Sequence, residues 1–240
     1  IKPGECFGLL GVNGAGKTST FKMLTGDNKI SNGEAYVNGI NLKMKMKDVH
    51  KVTGYCPQFD ALIDDLTGRE TLVLFALSRG IPETKLKEVI AKLANDFNFT
   101  KHLDKQVKAL SGGNKRKLST AVALLGNPKV IYLDEMSTGM DVASKRNIWD
   151  VMCKVRKAGK TIVLTTHSME ESEALCTKLA IMVNGRFKCL GSTQHLKSKF
   201  GQGFVLTVKL KRTTLEGAEK EDMLDERNQV KEYVEQEFSG

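Results

Sequence analysis

Three clusters of residues in this sequence have the types and spacing to handle phosphate. Gly11-Val12-Asn13-Gly14-Ala15-Gly16-Lys17-Thr18 fits G-x-x-x-x-G-K-[ST] at every fixed position, between an apolar run from Glu5 to Leu10 and a helix-forming run from Lys17 to Leu24. Glycines let a backbone curl so that successive N–H groups face phosphate oxygens, and a helix N-terminus adds its positive dipole end. In a cradle made of Gly11, Asn13, Gly14, Ala15 and Gly16, Lys17 is expected to reach β- and γ-phosphates. Thr18 is expected to offer its hydroxyl to Mg²⁺, and Ser19 to contact the α-phosphate. The second cluster is Asp134-Glu135, which closes the apolar run Val130-Ile131-Tyr132-Leu133. Carboxylates at the C-terminal tip of a buried parallel strand lie where ligands bind, beside the phosphate loop if the two strands are neighbours. Asp134 would then hold Mg²⁺, directly or through water, and Glu135 would orient an attacking water and take its proton. The third cluster, Ser111-Gly112-Gly113, opens another helix and is a second anion-binding N-terminus. One domain can use only one such cradle for a given γ-phosphate, so the second points to a site shared between two domains.

These residues need strands and helices to hold them. Apolar runs predict strands over Glu5–Leu10, Glu34–Val37, Val52–Cys56, Val130–Leu133, Thr161–Thr165, Leu179–Val183 and Arg186–Leu190, the last two joined as a hairpin by Asn184-Gly185. Phe204–Leu210 reads as one further strand. Thr67 and Glu70 predict a capping box for a helix ending near Gly80, and Leu86, Val89, Ile90, Leu93 and Phe97 recur at helical spacing. Asp141 is expected to cap a helix that buries Ile148, Val151, Met152 and Val155, and Ser168 with Glu171 predicts a second capping box. Strands alternating with helices imply a mostly parallel α/β sheet covered on both faces.

Length and composition bound the rest. A chain of 240 residues suits one α/β domain with a small appendage, and no run approaches the roughly 18 apolar residues of a membrane helix. The start, Ile1-Lys2-Pro3-Gly4, has neither an initiator Met nor a signal-peptide pattern and reads as a cut through a longer chain. Cys6, Cys56, Cys153, Cys176 and Cys189 lack metal-site spacing and read as reduced, mostly buried thiols. The net charge of +9 is uneven: the stretch from Glu216 to Gly240 holds nine acids and three bases, which leaves about +15 on the remainder. Such a body could face nucleotide, anionic lipid or nucleic acid, or could simply solvate Lys43, Lys45 and Lys47 on an exposed edge.

P-loop chains include GTPases, kinases, helicases and transport ATPases, so the phosphate loop alone does not settle function. Leu110-Ser111-Gly112-Gly113, placed between the phosphate loop and the Asp-Glu strand, resembles the signature of ABC ATPases. The resemblance runs from about Gly4 to Leu210. It implies a P-loop NTPase core with a mostly parallel sheet, a small antiparallel part and an inserted helical subdomain at about residues 60–127. Residues 1–210 would form that domain, and 211–240 an acidic linker into a C-terminal extension. The resemblance further implies that Gln58 senses Mg²⁺ and attacking water and touches a membrane domain, that Asp141 belongs to a loop crossing a dimer interface, and that His167 contacts the γ-phosphate.

Ser111 to Ser119 and His167 to Cys176 resemble the A subfamily, whose full transporters mostly move lipid. Ile181 to Phe187, with Gly191 to Leu196, resembles that subfamily's second nucleotide-binding domain. Implied partners are thus a second nucleotide-binding domain set head-to-tail in the same full-length chain, transmembrane domains that carry the lipid, and no nucleic acid. Implied cofactors are ATP and Mg²⁺, and the implied place is the cytoplasmic face of a membrane. Met136 stands where the family usually has proline, which is expected to loosen that loop. The family's adenine-stacking aromatic would lie before Ile1, so this stretch alone is expected to bind nucleotide more weakly than its parent. A soluble ABC ATPase acting on nucleic acid would suit the basic body, but the insert between Gln58 and Ser111 has no coiled-coil heptads. A guanine-reading Asn-Lys-x-Asp is excluded because Asn114-Lys115-Arg116-Lys117 lacks the Asp. A domain that binds ATP only to gate its partner is the remaining alternative.

Overall fold

Five short apolar segments pair in parallel because helices connect them. In the computed structural model, which describes residues 1–200 and Tyr233, these are β1 (Cys6–Leu10), β4 (Thr53–Cys56), β5 (Val130–Asp134), β6 (Thr161–Thr166) and β7 (Lys178–Val183). With the antiparallel edge strand β8 (Arg186–Gly191) they form a sheet of order β4-β5-β6-β1-β7-β8. The β7–β8 turn is Asn184-Gly185, both with positive φ (49° and 74°), as a two-residue hairpin of this hand requires. The same signal at Asn38-Gly39 (φ 51° and 77°) joins β2 (Tyr36–Val37) to β3 (Ile40–Asn41), a two-stranded sheet whose second strand was not expected.

β1 and β5 are not neighbours. β6 lies between them, in a register that aligns Leu9, Thr165 and Asp134 across three strands. The phosphate loop and the acidic pair are therefore separated by one strand, whose own tip supplies a polar side chain between them.

Alternation along β5 buries both faces of the sheet. Ile131 and Leu133 enter a large cluster with Leu72, Phe97, Leu118 and Met152, whereas Tyr132 enters a second with Leu9, Phe21, Val49 and Val163. Phe21 meets Tyr132 edge-on, with ring centroids 5.5 Å apart. Phe21 lies on α1 (Lys17–Thr25), so the helix that follows the phosphate loop is packed onto β5. Gly26, at φ 89°, terminates α1 in the left-handed conformation that glycine adopts without a Cβ clash.

The helical block contains α3 (Gly68–Ser78), α4 (Glu83–Asp96) and α5 (Gly112–Leu124). Thr67 caps α3 through the expected box: its hydroxyl accepts from Glu70 N at 3.1 Å, and Glu70 Oε2 accepts from Thr67 N at 2.8 Å. Thr67→Ala removes one acceptor from the helix start and is expected to destabilise the domain by about 1 kcal/mol, read as a lowered urea midpoint with unchanged slope. On α4, Ile90 and Ala94 are fully buried, and Leu86, Val89 and Leu93 pack half-buried against the same core.

Asp141 caps α6 (Val142–Lys157) by accepting from Ser144 N at 2.9 Å, and α6 buries Ile148, Val151 and Met152. Ser168 caps α7 (Met169–Leu175), but the second box is only half made. The buried Glu171 carboxylate turns to accept from Trp149 Nε1 at 3.2 Å on α6 instead of reaching back to the cap. A tertiary partner thereby displaces the local one.

Two helices were not expected. In α2 (Met46–Val52), seven residues long, only Val49 is buried, while Lys43, Lys45 and Lys47 are exposed as composition suggested; α8 (Thr193–Phe200) follows β8. Cys6, Cys56 and Cys176 are buried, Cys153 and Cys189 are half-buried, and all five are free. Among the described residues, no helix is long and apolar enough to cross a membrane. The strand expected at Phe204–Leu210 and the acidic stretch after it lie outside the described residues.

Candidate functional site

The glycine loop closes on its own lysine. Lys17 Nζ donates to the carbonyls of Gly11 (2.7 Å) and Val12 (3.1 Å), and lies 3.6 Å from Glu135 Oε1. At 5% exposure the ammonium is held by two carbonyl oxygens and a carboxylate, partners that an incoming phosphate would have to replace. Gly14 and Gly16 take φ of 80° and 102°, which turns the chain without Cβ strain. Gly185, in the β7–β8 turn, donates its N–H to Ala15 O at 2.9 Å and so braces the loop from behind.

Asn13, Gly14, Ala15, Gly16, Lys17, Thr18, Ser19, Gln58 and Glu135 line one cavity of about 210 Å³. Gly11 is not among them. A Cβ there would stand 2.6 Å from Met182 O, so Gly11 serves the close approach of the loop to β7. A larger groove of about 620 Å³, lined by Tyr36, Lys129, Tyr132 and Lys160 among others, contains none of the residues singled out for phosphate chemistry.

Glu135 is where the site converges. Its Oε2 accepts from Gln58 Nε2 (3.3 Å) and Thr138 Oγ1 (3.4 Å), and its Oε1 faces Lys17 and, at 3.7 Å, His167 Nδ1. Glu135 is buried, and its backbone is left-handed at φ 48°, uncommon for a residue with a Cβ. Its N–H donates to both the carbonyl and the hydroxyl of Thr165, each at 3.1 Å. His167 itself is exposed, just beyond β6.

Asp134 is fully buried. The Thr165 hydroxyl donates to its Oδ1, and its Oδ2 has no hydrogen-bond partner among the described residues. A buried carboxylate oxygen with no donor carries an unmet electrostatic demand. Hard divalent cations take such oxygens, so Asp134 and the Thr18 hydroxyl suit Mg²⁺ in donor type, although of the two only Thr18 lines the cavity. Among the described residues there is no group of three or more His, Cys, Asp and Glu placed to cage a metal.

Ser111, Gly112, Gly113 and Asp141 do not line the cavity. They gather with one another: a Cβ on Gly113 would lie 3.8 Å from both Asp141 Oδ1 and Ser144 Oγ. Ser111 caps α5 by accepting from Asn114 N at 3.3 Å. The buried Lys117 ammonium is pushed down by desolvation, opposed by the charge of Asp141. The Asp141 carboxylate is held below its ordinary range chiefly by the N–H of Ser144.

Sequence reasoning passed over two contributors. Thr165 could have been noticed as a hydroxyl at the tip of an otherwise apolar strand. Arg116 could not, because every atom it touches except one carboxylate is backbone. Its Nε donates to Met136 O at 2.9 Å, and Met136 is itself fully buried, so the loop expected to loosen is gripped at both side chain and main chain.

The family model described as ABC transporter matches residues 1–138. The chain is 54% identical along its whole length to Phospholipid-transporting ATPase ABCA3 of Mus musculus, and 50% identical along its whole length to Retinal-specific phospholipid-transporting ATPase ABCA4 of Homo sapiens. It spans only 14% and 10% of the length of those two relatives. A solved structure titled as an ATP binding subunit of an ABC transporter superposes with a TM-score of 0.76 at 27% identity, covering 95% of this chain and 90% of that one. Matched by that model over more than half its length and by subfamily A proteins over all of it, the chain belongs to the ABC transporter family.

Proposed function

We propose that this chain binds and hydrolyses ATP at a site completed by a second nucleotide-binding domain, and that the work drives lipid movement by transmembrane domains. The observation that carries this reading is the convergence of Lys17, Gln58, Thr138 and His167 on the Glu135 carboxylate, beside the phosphate loop. Lys17 leaves its carbonyl partners to meet the β- and γ-phosphates, while the N–H groups of Gly14 to Ser19 receive the phosphate oxygens. Thr18, Asp134 and Gln58 are the residues that would hold Mg²⁺, which when bound neutralises charge on the phosphates. Glu135 orients the attacking water and takes its proton, and His167 donates toward the γ-phosphate. Positioning and charge do nearly all the work in such a reaction.

Ser111, Gly112, Gly113 and Asp141, which do not line this cavity, serve the nucleotide of a domain arranged head-to-tail with this one. In this reading residues 1–210 form the ATP domain with a helical insert at about 60–127, and 211–240 begin a C-terminal extension. The domain is the second of two in a longer chain, and works at the cytoplasmic face of a membrane. That the subfamily A relatives are phospholipid-transporting ATPases supports lipid as cargo, held by the transmembrane domains and not here. Nucleic acid is not a partner.

Gly112→Ala tests the shared site. Among the described residues nothing lies within 4 Å of a Cβ at Gly112, and alanine is the better helix former, so the change is expected to be harmless or mildly stabilising to the fold. If a partner's phosphate seats there, the methyl displaces it, and ATP turnover by the full-length protein should fall about 10- to 100-fold with unaltered thermal stability. Turnover equal to the parent's would rule out a nucleotide at Gly112.

A further inference from the structure

A single guanidinium ties α5 to both loops of the cavity. Arg116 lies one turn beyond Gly113, is almost completely buried, and commits all five of its N–H donors. Nη2 donates to Asp134 O (2.7 Å) and Glu135 O (2.9 Å), and Nε to Met136 O (2.9 Å). Nη1 donates to Pro57 O (2.6 Å) and Asp60 Oδ1 (2.9 Å). Three consecutive carbonyls leaving β5 are thus held by one rigid planar group, and the same group holds the Pro57 carbonyl and the Asp60 carboxylate on either side of Gln58.

Glu135 is the residue that needs such a hold. Its left-handed backbone costs energy on its own and persists where surroundings over-determine it. Thr165 fixes its N–H from one side and Arg116 its carbonyl from the other. Neither contact touches the reacting carboxylate, and together they set where that carboxylate points.

We propose that Arg116 is a positioning residue for ATP hydrolysis, holding Glu135 and Gln58 in working geometry and joining them to the helix that carries Ser111 to Gly113. This rests on the reading of Glu135 as the group that activates water. Because α5 opens with the cradle assigned to the partner's nucleotide, movement of that cradle is carried by Arg116 to this chain's own Glu135 and Gln58.

Lysine separates positioning from charge. It keeps the cation beside Asp60 but has three donors on a flexible stem and cannot span the carbonyls of Pro57, Asp134, Glu135 and Met136 together. In the full-length protein, Arg116→Lys should lower kcat about 10- to 100-fold by displacing Glu135. KM for ATP, and the affinity for a fluorescent ATP analogue, should stay within about twofold, as expected when only transition-state geometry is lost. Asp60→Asn, which leaves the four carbonyl bonds in place, should keep at least about a third of the parent kcat. Parent-like kcat in Arg116→Lys overturns the proposal. So does loss of kcat, nucleotide affinity and thermal stability together, which would make Arg116 a structural residue. A fall in Asp60→Asn equal to that in Arg116→Lys also overturns it, placing the effect in the ion pair. Glu135→Gln is the control that separates the two levels. If it hydrolyses ATP like the parent, the reading of Glu135 falls; if it stops turnover while Arg116→Lys does not, only the role of Arg116 falls.

Discussion

Replacing Glu135 by glutamine is expected to lower ATP hydrolysis about 10²- to 10⁴-fold, the usual contribution of a positioned general base, while nucleotide binding survives. Glutamine keeps the length and shape of the side chain and tolerates the backbone at φ 48° about as glutamate does, so the loop has no cause to move. Arg116 and Thr165 hold the main chain of residue 135 and are indifferent to the change. The loss is chemical: an amide cannot take a proton from water at neutral pH. Binding is expected to persist or tighten, because the carboxylate now 3.6 Å from Lys17 Nζ competes with incoming phosphate for the same ammonium. Phosphate release under saturating ATP, with affinity measured separately by analogue fluorescence, reads the two effects apart. Turnover within a few-fold of the parent would exclude Glu135 as the base.

The parts of this site legible in the sequence are those where chemistry is local. The phosphate loop is a contiguous run whose glycines, lysine and threonine each answer to one physical demand, and the strand before it and the helix after it confirm the context. Asp134-Glu135 was legible because an apolar strand ending in two acids is readable at a glance. Their mutual placement was not. Parallel pairing joins β1 at Cys6 to β6 at Ile162 and β5 at Val130 to β6 at Thr161, and nothing in the residues themselves declares that β6 lies between β1 and β5. Thr165 therefore reads as strand until the register sets it against Asp134. Arg116 is less legible still, since four of its five partners are carbonyl oxygens, which every residue possesses. The miss at Glu171 has another cause: the capping pattern is sound local chemistry, but a half-buried indole N–H on a neighbouring helix takes the carboxylate from the cap. Short elements failed for lack of signal, as α2 offers a single buried residue among lysines.

Among the described glycines, Gly54 should tolerate alanine least, and for a reason opposite to that at Gly112. A Cβ on Gly54 would stand 1.9 Å from Ala123 O and 3.0 Å from Ala123 C, so the obstruction is the backbone of α5 itself. Pro128, on the connection into β5, closes the remaining side at 3.2 Å. No rotamer change relieves such a contact; helix and strand must separate across the interface that buries Leu118, Ala121 and Cys56. A loss of about 3 kcal/mol or more is expected, at the upper end of what overpacking costs. The consequence reaches the site because β4 runs directly into Pro57 and Gln58, and α5 carries Arg116 to meet them. Even at a temperature where the variant remains folded, turnover should fall while the phosphate loop, held by β1 and β7, still binds nucleotide. Melting temperature and turnover of the full-length protein decide the matter. A variant that melts with the parent would mean that α5 can yield at Ala123 at little cost, and that the approach of strand to helix at Gly54 is not what seats the catalytic loops.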